Sequence, residues 1–287
     1  MANTFAAGLI VDSLRDAAIT TLSSRLAPLK AFARDFSADQ IRPRATVQVP
    51  ICSAGATVQT NATSFESGDS TLTAAAVTVN QYSASFVLTN SEINQGFRIE
   101  MLAEKNLRQL ANKIIDVALT PVTIANFGAA VVDVDTASLV TAASLKSLWA
   151  ALQDGSERNL VVDGSIYAQF LPSNLDGFTL AGNGRSSGIF GFDGFYFNNR
   201  WTGAGATIKG FAASPEAVAM AAGIPLSSPV TDDLISQENI LIEDLGLTVQ
   251  MNMWSSRANR ALWCSYDIMF GAAKGDDSAL KLLVLTP

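Results

Sequence analysis

The chain has 287 residues, 48% of them hydrophobic and 16% charged, with a formal net charge of −7 and no histidine. That much apolar side chain can bury one large core or two modest ones, and 20 Gly and 9 Pro are too few for a collagen-like or disordered polymer. Without an imidazole there is no Ser-His-Asp or Cys-His machinery, no His-ligated zinc, and no side chain whose unperturbed pKa lies near neutrality.

The first residues, MANTFAAGLIVDSLRDAA, lack the basic and continuous apolar regions of a signal peptide, so no secretory route is expected. The uncharged run from Val117 to Val132 is 16 residues long and contains Pro121 and Asn126. It falls short of the roughly 18–20 apolar residues of a membrane helix, and no membrane partner is expected. Cys52 and Cys264 stand far apart in strand-like stretches and read as buried free thiols rather than a disulfide.

Residues 1–44 open with apolar positions Ile10, Leu14, Ala18, Leu22 and Leu26 at helical spacing, up to Pro28. Six basic residues (Arg15, Arg25, Lys30, Arg34, Arg42, Arg44) face four acidic ones (Asp12, Asp16, Asp35, Asp39), a net of +2. This is an ordinary packed helix or at most an interaction arm, and no nucleic-acid tail. Between residues 45 and 91 the only charges are Glu66 and Asp69. The stretch reads as a long hairpin, with Thr46 to Ile51 as one strand and Leu72 to Leu88 as the return. A change of phase between Val79 and Tyr82 predicts a bulge or bend. A lone two-stranded hairpin is marginal in water, and exposed edges normally carry charges that discourage further pairing. The hairpin therefore expects a cover, for which another copy of the chain is the first candidate.

Thr89 and Glu92 form a capping-box pattern before a helix predicted from about Ile93 to Thr120, ending near Pro121. Leu107, Leu110, Ala111, Ile114 and Ala118 make its buried stripe. Gly96, just inside it, is an unfavourable helix residue and a candidate bending point. Beyond, Leu145, Leu148, Trp149 and Leu152 predict a helix closed by Gly155, Leu160 to Val162 a buried strand, and Ile166 to Leu171 a helix stopped by Pro172.

Residues 176–205 hold eight glycines and seven aromatics. Single-strand nucleic-acid platforms combine aromatics with a basic groove. Here residues 126–245 carry 13 acidic and 5 basic side chains, a net of −8, so the field repels polyanions and the aromatics read as packing. Ala206 to Ala213 predicts a strand, and Ser214-Pro215-Glu216 predicts the start of a helix reaching Ala222. Leu247, Val249, Met251 and Met253 alternate, a turn falls at Ser255 to Arg260, and the chain returns through Leu262 to Phe270. A last strand, Leu280 to Leu285, is expected to close that sheet, which makes 126–245 an insertion between two halves of one sheet domain.

Short motifs add little. Gly184-Arg185-Ser186-Ser187-Gly188 matches a nucleophile elbow but has no histidine to serve it. Asn61-Ala62-Thr63 is a sequon that matters only after secretion, and Asp133-Val134-Asp135 is an acidic pair without further ligands. No phosphate-binding glycine motif occurs. No catalytic, cofactor-binding or metal residue is singled out, no cofactor is expected, and the carboxylates show no paired spacing that would suit an enzyme.

The order of parts resembles the major capsid proteins of tailed bacteriophages with the Hong Kong 97-like fold. Residues 188–199 (GIFGFDGFYFNN) are similar to the loop-to-strand passage of their axial domain, Lys209 to Ala221 to their strand and alanine-rich helix, and Tyr266 to Gly271 to a strand ending in Gly. The resemblance implies an α+β fold. Its parts would be an N-terminal arm (1–35), an extended β-hairpin loop (36–90), a peripheral-domain spine helix (91–125), a mostly axial domain (126–245) and a return to the peripheral β-sheet (246–287). It implies pentamers and hexamers of one chain closing into an icosahedral shell around double-stranded DNA, held by weak non-specific contact. The protein would be a structural component of the virion, not an enzyme, assembled in the host bacterial cytoplasm. A portal, a possible decoration protein and a separate scaffolding protein are the implied partners, the last because the hairpin starts close to Met1. No Lys lies between residues 45 and 91, which argues against the Lys–Asn cross-link of some family members. An encapsulin-like nanocompartment shell is the alternative, and an enzyme with a carboxylate-based site a more distant one.

Overall fold

In a computed structural model the described residues are 7–35, 45–54, 60, 71–89, 99–152, 157–170, 191–201, 204, 207–225, 234–256 and 261–286. Two sheets and two long helices organise them, an α+β arrangement as expected. The first helix, α1 (Ala7–Leu26), and the second, α2 (Ile99–Leu119), pack against each other and against one face of a six-stranded sheet. The helical spacing of the sequence explains the contact. Leu14, Ala18, Leu22 and Leu26 on α1 and Leu107, Leu110, Ala111, Ile114 and Ala118 on α2 are all at most 3% exposed. Val11, Leu14, Ala18, Leu22 and Leu26 thus form a packed core stripe. Leu107→Ala, at the centre of this contact, is expected to cost about 2–5 kcal/mol, read as a lowered midpoint in urea denaturation.

The six-stranded sheet comprises β1 (Ala33–Asp35), β4 (Asn80–Thr89), β9 (Val218–Gly223), β10 (Leu234–Ile242), β11 (Leu247–Ser256) and β12 (Ala261–Lys274). β12 is its axis. It pairs antiparallel with β4 from Ala261↔Thr89 to Phe270↔Asn80, with β11 from Ser256↔Ala261 to Gln250↔Asp267, and with β9 beyond Met269. Cys264, Tyr266, Ile268 and Phe270 alternate onto the helix-covered face, and the Tyr266 hydroxyl donates to the Leu14 carbonyl at 3.3 Å.

A five-stranded sheet in the order β5-β13-β8-β6-β7 makes the second layer, from β5 (Val132–Val134), β6 (Asn159–Val162), β7 (Gly194–Phe197), β8 (Ile208–Ala213) and β13 (Leu280–Leu285). Three short helices follow the chain around it: α3 (Ile124–Phe127), α4 (Ala142–Ala151) and α5 (Gly164–Gln169). Thr141 caps α4 in a box with Ser144, and Asp163 caps α5 by accepting from the Ser165 N–H. Leu145, Leu148, Leu160, Val162, Ile166 and Phe192 form this layer's own core.

Three expectations change. Residues 218–223 are strand β9, not a helix, and Ser214-Pro215-Glu216 leads into a turn between β8 and β9. Alanine favours helices in isolation, but this segment is buried between β12 and β1. There small side chains fit a two-sided strand, and the ladder satisfies its backbone. The last strand does not close the late-strand sheet. It crosses to the second sheet, antiparallel to β8 and parallel to β5. In turn, β9 and β10, inside the expected 126–245 insertion, belong to the first sheet. The strand through Tyr266 also does not end at Gly271 but continues to Lys274. Glu92 of the capping box, Gly96, Gly155 and Pro172 lie outside the described residues.

Candidate functional site

The uncharged stretch forms two different things. β2 (Thr46–Ala54) and β3 (Thr71–Thr78) pair as an antiparallel hairpin, whereas β4 leaves it at Val79 and joins β12. The phase change in the sequence marks that handover. Val49, Val77 and Val79 are fully buried against Ala219, Ala221 and Met269, on the face of the six-stranded sheet opposite the helices. The Val79 N–H donates to the Ala45 carbonyl at 3.0 Å. The base of the hairpin is therefore covered by its own sheet, while Thr46, Gln48, Pro50, Thr73, Ala74 and Ala76 stay exposed. Gly271 makes the seat possible, because a Cβ there would stand 2.2 Å from the Thr78 carbonyl oxygen.

Beside that seat, alternation along four strands puts Gln81, Ser83, Ser85 and Val87 of β4 and Gln237, Asn239 and Leu241 of β10 on the same face, all exposed, with Asn252 and Trp254 of β11 and Trp263 of β12 half-buried and Gln250, Ser265 and Asp267 buried between them. Trp254 and Trp263 stack with centroids 6.0 Å apart and planes 7° from parallel. Asp267 accepts from the Ser265 hydroxyl at 2.7 Å and the Asn252 amide at 2.9 Å.

Among the described residues, Cys264 and Tyr266 are sequestered in the core. Burial pushes the Cys264 thiol up to about 12, which leaves it protonated and unreactive, and burial also raises the Tyr266 hydroxyl above its ordinary value. Cys264 is a free thiol, as read; the side chain of Cys52 lies outside the described residues. Asp133 on β5 and Asp135 just after it are exposed, and among the described residues no group of three or more metal-ligating side chains occurs. The Gly184–Gly188 elbow and the Asn61 sequon lie outside the described residues.

Polar contacts instead tie the layers together. Arg200, just after β7, donates to both carboxylate oxygens of Asp116 on α2, at 3.2 and 2.5 Å, and this hydrogen bonding raises the Arg200 pKa. Sequence spacing carried no sign of this pair, since its members are 84 positions apart. Asp116→Asn is expected to lose about 1–2 kcal/mol, the scale of a hydrogen-bonded charge at a partly exposed site, and to lower Tm by a few degrees in thermal denaturation. A cleft of about 960 Å³ next to it is lined by Arg25, Lys30, Asn112, Phe197, Asn199 and Arg200. Lys30 is held by Asp244 at 3.3 Å and Arg200 by Asp116, so two of its three cations are neutralised. The described part of the aromatic, glycine-rich stretch, residues 191–201, packs. The Trp149 indole N–H donates to the Gly191 carbonyl at 2.9 Å, with Arg158 over its ring at 4.2 Å, and Phe195 stacks on Tyr167 at 4.7 Å.

Comparison with solved structures shows where the same fold occurs. The chain is similar to the capsid protein of a native GTA particle (TM-score 0.57, 12% identity, 92% of this chain and 91% of that one). It is similar to the capsid protein of the cyanophage P-SCSP1u (TM-score 0.52, 11% identity, 88% and 86%). The virus-like particle of Pyrococcus furiosus is also similar (TM-score 0.51, 12% identity, 95% and 98%). The chain thus has the fold of phage-type capsid proteins. No family model matches the sequence and no curated protein is similar to it at a significant level.

Proposed function

We propose that the protein is the major capsid protein of a tailed bacteriophage, a structural protein that assembles through pentamers and hexamers into an icosahedral shell enclosing double-stranded DNA. The observation that carries the reading is the whole-length fold likeness: the shared architecture spans 88–95% of this chain and 86–98% of three capsid or virus-like-particle chains, which leaves little of the chain to form an unrelated functional module. The charge-poor hairpin supports it, because identical subunits that cover one another's exposed strands are how closed symmetric shells form.

In this reading the six-stranded sheet with α1 and α2 is the peripheral domain, β2 and β3 the extended loop, and the five-stranded sheet with α4 and α5 the axial domain around capsomer axes. Residues 218–242 then belong to the peripheral domain and 280–285 to the axial one, which moves the boundaries read from the sequence. Scaffold, portal and decoration proteins are the expected partners, and the virion is the location, reached from the host cytoplasm. The first test is to express the chain with and without its scaffold candidates, then image it by negative-stain microscopy after size-exclusion chromatography. Shells or rings of five and six subunits support the proposal, and DNA rather than protein cargo in native particles supports the phage over a nanocompartment. A persistent 30.2 kDa monomer under all these conditions overturns it.

A further inference from the structure

We infer that the cleft between the two layers, bounded by the end of α1, by α2 and by the segment after β7, is a binding site for a nucleoside phosphate, with the phosphate on Arg25 and the base on Phe197. The site lies within one chain and stands apart from the shell reading.

The cleft holds about 960 Å³, the upper end of the roughly 300–1,000 Å³ of small-molecule sites, which join an apolar wall to a few convergent polar groups. Ile115 and Tyr196 are buried in its wall, and Thr20, Arg25, Phe197 and Asn199 are exposed around it. Its charge selects an anion. Lys30 is bridged to Asp244 at 3.3 Å and Arg200 to Asp116. Arg25, in the last turn of α1, has no ion-pair or hydrogen-bond partner among the described residues. It is the lining cation that the fold leaves for a ligand, and a guanidinium meets phosphate oxygens through paired N–H donors. Thr20 and Asn112 line the same cleft, are equally uncommitted among the described residues, and add a hydroxyl and an amide as donors.

The aromatic side comes from β7. That strand buries Gly194, Phe195 and Tyr196 and turns Phe197 out at 51% exposure. Tyr167 holds the Phe197 ring from the side, with centroids 5.5 Å apart and planes at 52°. An exposed ring beside a cation is how proteins hold nucleobases without reading their edges. An apolar ligand would desolvate Arg25 and the amides without replacing their hydrogen bonds, and a bare inorganic anion would leave Phe197 in water. A nucleoside phosphate uses both. A long polyanion is disfavoured, since the chain carries −7 and residues 126–245 carry −8. The ligand is therefore a free nucleotide or the end of a strand.

Equilibrium dialysis of the full chain against deoxyadenosine monophosphate tests this, with inorganic phosphate as a separate probe. The wild type is expected to bind one nucleotide per chain. Arg25→Gln should weaken nucleotide and inorganic phosphate alike, about tenfold or more, the scale of a hydrogen bond to a charged group. Phe197→Leu should weaken the nucleotide about tenfold, the scale of base stacking, and leave inorganic phosphate unchanged. Both side chains are exposed, so both variants should keep Tm within a few degrees. Should one unfold, irradiation of the wild type with an azido-substituted deoxyadenosine monophosphate takes its place, and adducts on residues 19–30 or 194–201 support the site. The inference is overturned if the wild type shows no saturable nucleotide binding, if both variants keep wild-type affinity, or if adducts fall only on other segments. A short deoxyadenosine oligonucleotide assigns the source. Tighter binding than the mononucleotide marks the end of a strand, and equal or weaker binding marks a free nucleotide.

Discussion

Replacing Gly271 by valine is expected to detach the base of the hairpin and to abolish assembly. The Cβ would lie 2.2 Å from the Thr78 carbonyl oxygen, 2.9 Å from its carbon and 3.1 Å from the Val77 side chain. The first two are backbone atoms of β3, which cannot rotate away as a side-chain tip does. β12 is fixed on both edges by β4, β9 and β11, so the hairpin has to move. Overpacking costs about 1–3 kcal/mol, and loss of the buried Val49, Val77 and Val79 contacts adds about 1.5–3 kcal/mol for each side chain that returns to water. Urea denaturation should show the loss, and limited proteolysis should cut between β2 and β3 faster than in the wild type. Microscopy should show no closed particles. Unchanged proteolysis and normal shells would mean that the seat under Thr78 is not what orients the hairpin.

The second large effect is alkaline instability. With no histidine, stability is expected to vary little near neutrality and to fall steeply in alkali. Burial raises the folded pKa of Cys264 from 9.0 to about 12 and moves Tyr266 in the same direction. Between pH 9 and about 12 the unfolded chain has released the thiol proton and the folded chain has kept it. The unfolded state then binds fewer protons, and stability drops as pH rises. One such group gives a slope of about 1.4 kcal/mol per pH unit, so about 4 kcal/mol over that window for Cys264, and Tyr266 steepens it above pH 10. The contribution is fully present below pH 9. Urea midpoints measured from pH 7 to 11 check this, with Cys264→Ala as the comparison: its profile should be shallower above pH 9. Equal slopes would show that the thiol is not held protonated by the fold.

How much of this was legible in the sequence depended on whether the signal was local. The helical spacing of Leu107, Leu110, Ala111, Ile114 and Ala118 and the alternation from Leu247 to Met253 identified α2 and β11 with their buried faces, because an amphipathic period states which side chains leave water. The break at Val79 was visible as a phase change, though not its meaning. The charge-poor character of residues 45–91 was equally plain, and the order of parts carried the resemblance that the fold comparisons support.

Pairing across long separations was not legible. Residues 218–223 carry helix-favouring alanines, and only the two strands that flank them make β the better solution. β13 looks like a continuation of its neighbours in sequence, yet its partners are β8 and β5, chosen by where the chain has room to satisfy its backbone. Arg200 and Asp116 meet because the segment after β7 reaches α2. The sequence by itself determined most of the elements, their apolar faces and the absence of any imidazole, all properties of a residue and its near neighbours. The tertiary structure alone decided which strands share a sheet, what lies under the hairpin and which face is left open, since those follow from packing between segments that no local pattern connects.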